Sequence, residues 1–139
     1  MGECIFCKIV NKRLPSSIVY EDENVVAFLD IKPVSEGHTL VVPKRHFVTL
    51  NDCEEEVAKH LVVVLKRLNI SVSKAVHCDG VLNAVMNGEF AGQEVFHLHF
   101  HIIPRFKNDG FGFRFPESYE IKKEREIFDE VASRIRKCV

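Results

Sequence analysis

The stretch His97-Leu98-His99-Phe100-His101-Ile102-Ile103 decides how the chain reads. Every second residue is an imidazole and the residues between are apolar, which is the period of a half-buried strand. On such a strand the three histidines share one face, about 7 Å apart at Cα, while Leu98, Phe100 and Ile102 face a core. A merely solvated strand face has no need of three imidazoles in strict alternation. The row suits either transition-metal binding or phosphate chemistry, with imidazole as nucleophile and acid/base. The loop before it, Asn87-Gly88-Glu89-Phe90-Ala91-Gly92-Gln93, holds two glycines and two side-chain amides. Glycines let backbone N–H groups approach a ligand closely, and such groups suit phosphate oxygens.

Working outward, the apolar pattern predicts further short strands over residues 17–20, 24–29, 38–42 and 81–86, with the histidine row inside a strand over 96–103. A long helix is predicted over about 51–77, where Val57, Leu61, Val64, Leu65, Leu68, Val72 and Ala75 recur at spacings of three and four. Asn51 followed by Glu54 reads as its N-terminal cap. A second helix is predicted over about 118–138, with Phe128, Val131, Ile135 and Cys138 on one face. Strands joined by short links, with helices as separate inserts, give an α+β fold: an antiparallel sheet of about five strands, one long helix and a C-terminal helix. With 139 residues and no linker or repeat, one domain over 1–139 is expected.

Nineteen basic and 20 acidic residues leave a net charge of −1, which argues against a nucleic-acid or membrane binder acting by bulk charge. An anionic partner would need a local site. No basic segment followed by an apolar core opens the chain, and five cysteines are an odd number. The expectation is a cytoplasmic protein whose thiols are reduced or hold metal. Cys4-Ile5-Phe6-Cys7 has the spacing of a thiolate metal site but supplies only two ligands, and it lacks the strand–helix context of a redox pair.

From Gly92 to Arg105 the sequence Gly-Gln-Glu-Val-Phe-His-Leu-His-Phe-His-Ile-Ile-Pro-Arg resembles the signature of the histidine triad (HIT) nucleotide hydrolases and transferases. An upstream block, Phe28-Leu29-Asp30-Ile31-Lys32-Pro33 followed by Gly37-His38-Thr39-Leu40-Val41-Val42-Pro43-Lys44-Arg45-His46, matches the same family in order and distance. The resemblance covers roughly residues 3–106. It implies a HIT-like fold and hydrolysis at the α-phosphate of a purine nucleoside 5′-phosphate derivative, a phosphoramidate or a diadenosine polyphosphate. His99 would be the nucleophile, forming a nucleotidyl-histidine intermediate, with His101 and His38 stabilising charge or moving protons. Asp30 would hold the ribose hydroxyls, Phe28 and Ile31 would wall the base, and Asn87, Gln93 and the backbone of Gly92 and Glu94 would hold the nucleotide. Many relatives carry Asn where this chain has Met86, and Ser or Thr where it has Glu94.

In zinc-containing relatives a C-x₂-C pair is completed by two histidines, here His46 and His97. The resemblance thus implies a structural zinc on Cys4, Cys7, His46 and His97, no catalytic metal, an AMP-type ligand, and a homodimer built on the long helix and an edge strand. Two other readings stay open: a metallohydrolase with His97, His99 and His101 as ligands of a catalytic metal, and a nucleotide-binding interaction module with little turnover.

Overall fold

The computed structural model describes residues 3–139. The chain divides into two compact units, one ending at Asp109 and one running from Gly110 to Val139. The reason lies in the second unit, where no described residue is buried. Its helix α3 spans Arg125–Arg136 and is shorter than the expected 118–138. The turn in which Tyr119 N–H donates to the Pro116 carbonyl (2.9 Å), followed by Ile121 N–H to Ser118 (3.1 Å), occupies the stretch before it. Among the described residues no helix is long and apolar enough to cross a membrane.

The first unit carries the sheet. Its elements are helix α1 (Ile5–Val10), strands β1 (Ile18–Glu21), β2 (Val25–Leu29) and β3 (Thr39–Pro43), helix α2 (Glu55–Val76), and strands β4 (Gly80–Ala84) and β5 (Phe100–Arg105). The strands form one sheet in the order β1-β2-β3-β5-β4, with every neighbouring pair antiparallel. The expected α+β architecture of five antiparallel strands and a long helix is therefore present.

Strand alternation sorts side chains onto two faces. Val25 and Ala27 of β2, Val41 of β3, and Phe100 and Ile102 of β5 pack with Leu61, Val64, Leu65, Leu68 and Val72 of α2. This is the stripe predicted from sequence, except that Ala75 is exposed while Val76 packs against the core. The opposite face carries Val26, Phe28, Leu40 and Val42, covered by Phe6 and Ile9 of α1. Register places Phe28 opposite Leu40, Leu40 opposite His101 and His101 opposite Ala84. One row across the sheet thus brings an aromatic wall and an imidazole to the face away from α2.

Three local expectations need correction. The cap lies two residues earlier than Asn51: Thr49 and Asp52 form a capping box on a short 3-10 turn, Leu50–Asp52, while α2 begins after Glu54 with no side-chain cap. Helix α1, six residues long, is too short to show a period and was not foreseen. Strand β5 begins at Phe100, so only His101 of the three histidines lies in the ladder. The chain at 97–99 leaves the sheet because Leu98 N–H donates to the Phe47 carbonyl (2.6 Å).

Candidate active site and metal centre

The histidine row does not form one set. His99 and His101 stay together, ring centroids 4.9 Å apart, whereas His97 turns to His46, centroids 4.8 Å apart.

The turn before β3 places the first cluster. Gly37 has φ of +86°, and a Cβ there would lie 2.9 Å from Val76 Cγ1, so glycine alone fits both the conformation and the space. Asp30 N–H donates to the His38 carbonyl (2.9 Å), closing the loop between β2 and β3. Val34 N–H donates to His38 Nδ1 (3.0 Å), so the His38 proton resides on Nε2. That N–H points to His101 Nδ1 at 2.9 Å, which in turn places the His101 proton on its own Nε2. His99 Nδ1–H donates to the His97 carbonyl at 2.6 Å, leaving the lone pair on His99 Nε2. One carbonyl and one backbone amide therefore fix all three tautomers.

His99 and His101 line a cleft of about 510 Å³ with Phe6, Ile9, Phe28, Asp30, Ile31, Leu40, Gly92 and Glu94. His38 stands behind, 3% exposed. Asp30 Oδ1 accepts from Lys32 N–H (2.8 Å), and its Oδ2 lies 3.7 Å from His38 Nε2. Asn87 and Gln93 do not line the cleft. Asn87 Oδ1 accepts from Leu50 N–H (2.9 Å). Gln93 Oε1 accepts from Gly88 N–H (2.8 Å) while its Nε2 donates to the Val48 and Val95 carbonyls (2.6 and 3.2 Å). Both amides brace the loop. The Gly92 and Gln93 N–H groups are also committed inside it, to Glu89 and Gly88 carbonyls (2.9 and 3.1 Å). Cleft residues that sequence reasoning missed include Ile5, Phe6, Ile9, Leu14, Ser16, Leu40 and Val95. Ser16 Oγ is buried without a hydrogen-bond partner.

Burial pushes His101 down to about 4, and neighbouring His99 and His38 add to it. Burial likewise lowers His38 and His99, with Asp30 pulling the other way. All three are neutral at pH 7. The folded value of His101 lies below its ordinary 6.5, so the unfolded chain binds more protons between the two. Stability is therefore complete above pH 6.5 and declines as pH falls toward 4. A melting temperature that falls across that window, and falls less in His101→Gln, is the expected result; parallel profiles contradict it.

The second cluster joins Cys4, Cys7, His46 and His97, whose ligand atoms all lie within 4.8 Å of one another. His97 is fully buried, and its Nε2–H donates to the Pro43 carbonyl (2.8 Å), so Nδ1 presents the lone pair. That Nδ1 lies 3.4 Å from Cys4 Sγ, 3.6 Å from Cys7 Sγ and 3.1 Å from His46 Nδ1. Cys7 Sγ is 3.5 Å from His46 Nδ1. Donors bonded tetrahedrally to zinc at 2.0–2.3 Å would stand about 3.3–3.8 Å apart, so the set is compatible with a structural zinc. Burial, and then Cys4, push the Cys7 thiol up to about 11, a penalty on paired thiolates that a cation relieves. Asp30, His38 and His101 form the other ligand-bearing group found among the described residues. No such group unites His97, His99 and His101, so the metallohydrolase reading loses its ligand set.

The chain is similar to known proteins. The family model described as HIT domain matches residues 11–108. A HIT-like protein of Borreliella burgdorferi is 47% identical over 142 residues, covering 97% of each chain. An adenylylsulfatase of Arabidopsis thaliana is 34% identical over 138 residues, covering 99% of this chain and 68% of that one. An adenosine 5′-monophosphoramidase of Saccharomyces cerevisiae is 42% identical over 102 residues, covering 73% and 62%. The crystal structure of a HIT family member from Bacillus subtilis superposes with a TM-score of 0.91 at 40% identity, covering 99% of this chain and 98% of that chain. A Zn-bound histidine triad family protein from Mycobacterium smegmatis superposes at 0.76 with 39% identity, covering 85% and 86%. By its sequence blocks, its sheet and its matched span, the chain belongs to the HIT family.

Proposed function

We propose that the protein hydrolyses purine nucleoside 5′-phosphate derivatives at the α-phosphorus, through a nucleotide carried transiently on His99. The observation that carries this reading is the 2.6 Å hydrogen bond from His99 Nδ1–H to the His97 carbonyl. It frees Nε2 as the nucleophilic nitrogen of a neutral, cleft-lining imidazole. Nε2 attacks phosphorus, the P–N bond forms as the bond to the leaving group breaks, and the leaving group takes a proton from solvent. The positive charge that develops on the His99 ring is stabilised by the same carbonyl. His101 Nε2–H donates to a phosphoryl oxygen, its orientation held by His38. Water then attacks phosphorus: the P–Nε2 bond breaks as the P–O bond forms, its electron pair returns His99 to the neutral imidazole, and the proton of the water passes to solvent.

Asp30 would accept from ribose hydroxyls, and Phe28 and Ile31, which line the same cleft, would flank the base. Glu94 and Gly92 border the phosphate end, with Gln93 and Asn87 shaping the loop instead of touching ligand. Relatives named as an adenylylsulfatase and an adenosine 5′-monophosphoramidase support an adenylyl group with a small leaving group. The direct test is mass spectrometry after an alkaline quench with adenosine 5′-phosphoramidate. An adenylylated peptide containing His99 is expected. Nucleotide binding without adduct or turnover would favour the interaction module.

Zinc would be held by Cys4, Cys7, His46 and His97, all protein ligands with no open position, and would tie α1 to the segment before β5. We also assign a homodimer. The apolar stripe of α2 is buried in the core, so the surface available is β4 at the sheet edge and the outer face of α2, where Val62, Val63 and Ile70 are 51%, 45% and 52% exposed. Light scattering is expected to return twice the 15.9 kDa chain mass, and Val63→Asp to halve it; a monomer in the unsubstituted protein overturns the assignment.

A further inference from the structure

His97 faces two ways. Its Nδ1 belongs to the cysteine–histidine cluster, while its carbonyl holds the proton of His99 at 2.6 Å. Helix α1 makes the same connection from the other side. Cys4 at its N-cap and Cys7 within it bracket Phe6, which is 6% exposed. The Phe6 ring meets His97 edge-on at 5.8 Å between centroids, His99 at 5.2 Å and Phe28 at 5.4 Å. One residue thus touches the cluster, the nucleophile and the aromatic wall of the cleft.

Helix α1 has six residues and no side-chain cap. So short a helix does not persist on its own propensity. Burial of Phe6 and Ile9 and the tethers at Cys4 and Cys7 must fix it. We infer that metal at the cluster sets the nucleotide affinity of the cleft, and that Phe6 is the positioning residue that transmits the coupling. This rests on the nucleotide and zinc readings above. With the cation in place, Cys4 and Cys7 hold Phe6 against His99 and Phe28, and the His97 carbonyl is fixed where it orients His99. Without it, α1 frays and the cleft loses one wall and the restraint on its nucleophile. Because linkage is reciprocal, nucleotide must strengthen metal binding by the same factor that metal strengthens nucleotide binding.

The experiment measures AMP affinity by calorimetry on the full chain, zinc-loaded and chelated. It also measures zinc affinity by competition with a chromophoric chelator, with and without saturating AMP. Metal removal is expected to weaken AMP about tenfold, with AMP tightening zinc by the same factor. Zinc-loaded Phe6→Leu should bind zinc as tightly as the unsubstituted protein without AMP, and lose the response to AMP. Circular dichroism follows the fold throughout. If the chelated protein unfolds, the zinc affinity of Phe6→Leu with and without AMP decides the matter alone. Equal AMP affinity in folded metal-free and loaded protein overturns the coupling. Full coupling in Phe6→Leu overturns the part given to Phe6. Failure of AMP to bind the loaded protein overturns the nucleotide reading and the coupling with it.

Discussion

His99→Gly lowers turnover of adenosine 5′-phosphoramidate by roughly four to six orders of magnitude, while AMP affinity changes by less than about threefold, as for loss of a nucleophile that acts mainly in the transition state. The size follows from the role. Removing the group that forms the covalent bond deletes the two-step route, and only binding and charge stabilisation remain. His101→Gln and His38→Ala are expected to cost less, about a hundred- to a thousandfold, since in the proposed mechanism each orients or stabilises and forms no bond to phosphorus. The glycine leaves a space beside Phe6, whose ring lies 5.2 Å from that of His99. Added imidazole can enter it and restore part of the rate, which separates lost chemistry from lost structure. Hydrolysis retained in His99→Gly, with the protein folded by thermal melting, would sink the assignment of the nucleophile.

The fate of the histidine row shows what sequence carries and what it does not. Alternation correctly placed Leu98, Phe100 and Ile102 in the core, because apolar burial is a property of each residue's own periodicity. It could not show that the row divides. That depends on a ring at 97 being drawn to Cys4 and Cys7, some ninety residues away in sequence, and on Leu98 N–H pairing with Phe47 instead of a neighbouring strand. The C-x₂-C motif alone supplied half a metal set; the other half was legible only through family resemblance. Gln93 and Asn87 teach the reverse lesson. An amide in a glycine-rich loop reads as a ligand contact, yet both are engaged in bracing the loop. Helix α1 was invisible because six residues complete fewer than two turns, and with it went Phe6, the residue that joins the two sites.

Loss of the proposed metal centre is the largest stability effect expected. Chelation, or Cys7→Ser, lowers the melting temperature by roughly 10–20 °C. A cation that binds only the folded chain stabilises it by about 4 kcal/mol when present at a thousand times its dissociation constant. For a domain of this size each kcal/mol corresponds to roughly 3–5 °C. The loss is felt locally before it is felt globally. Phe6 and Ile9 cover Val26, Phe28, Leu40 and Val42, so hydrogen exchange should rise first in α1 and at residues 97–99, while α2 and its core stripe stay protected to higher temperature. His46→Ala should act more weakly than His97→Ala, since His46 is exposed and His97 fully buried with its Nε2–H on the Pro43 carbonyl. Metal-free and metal-exposed protein melting together, with no zinc retained per chain, would remove zinc from the four-residue set and leave those side chains as a polar cluster held by its own contacts. The order of exchange distinguishes a centre that fastens α1 to the catalytic segment from one that stabilises the sheet as a whole, because only the first predicts that the cleft wall is lost while α2 remains closed.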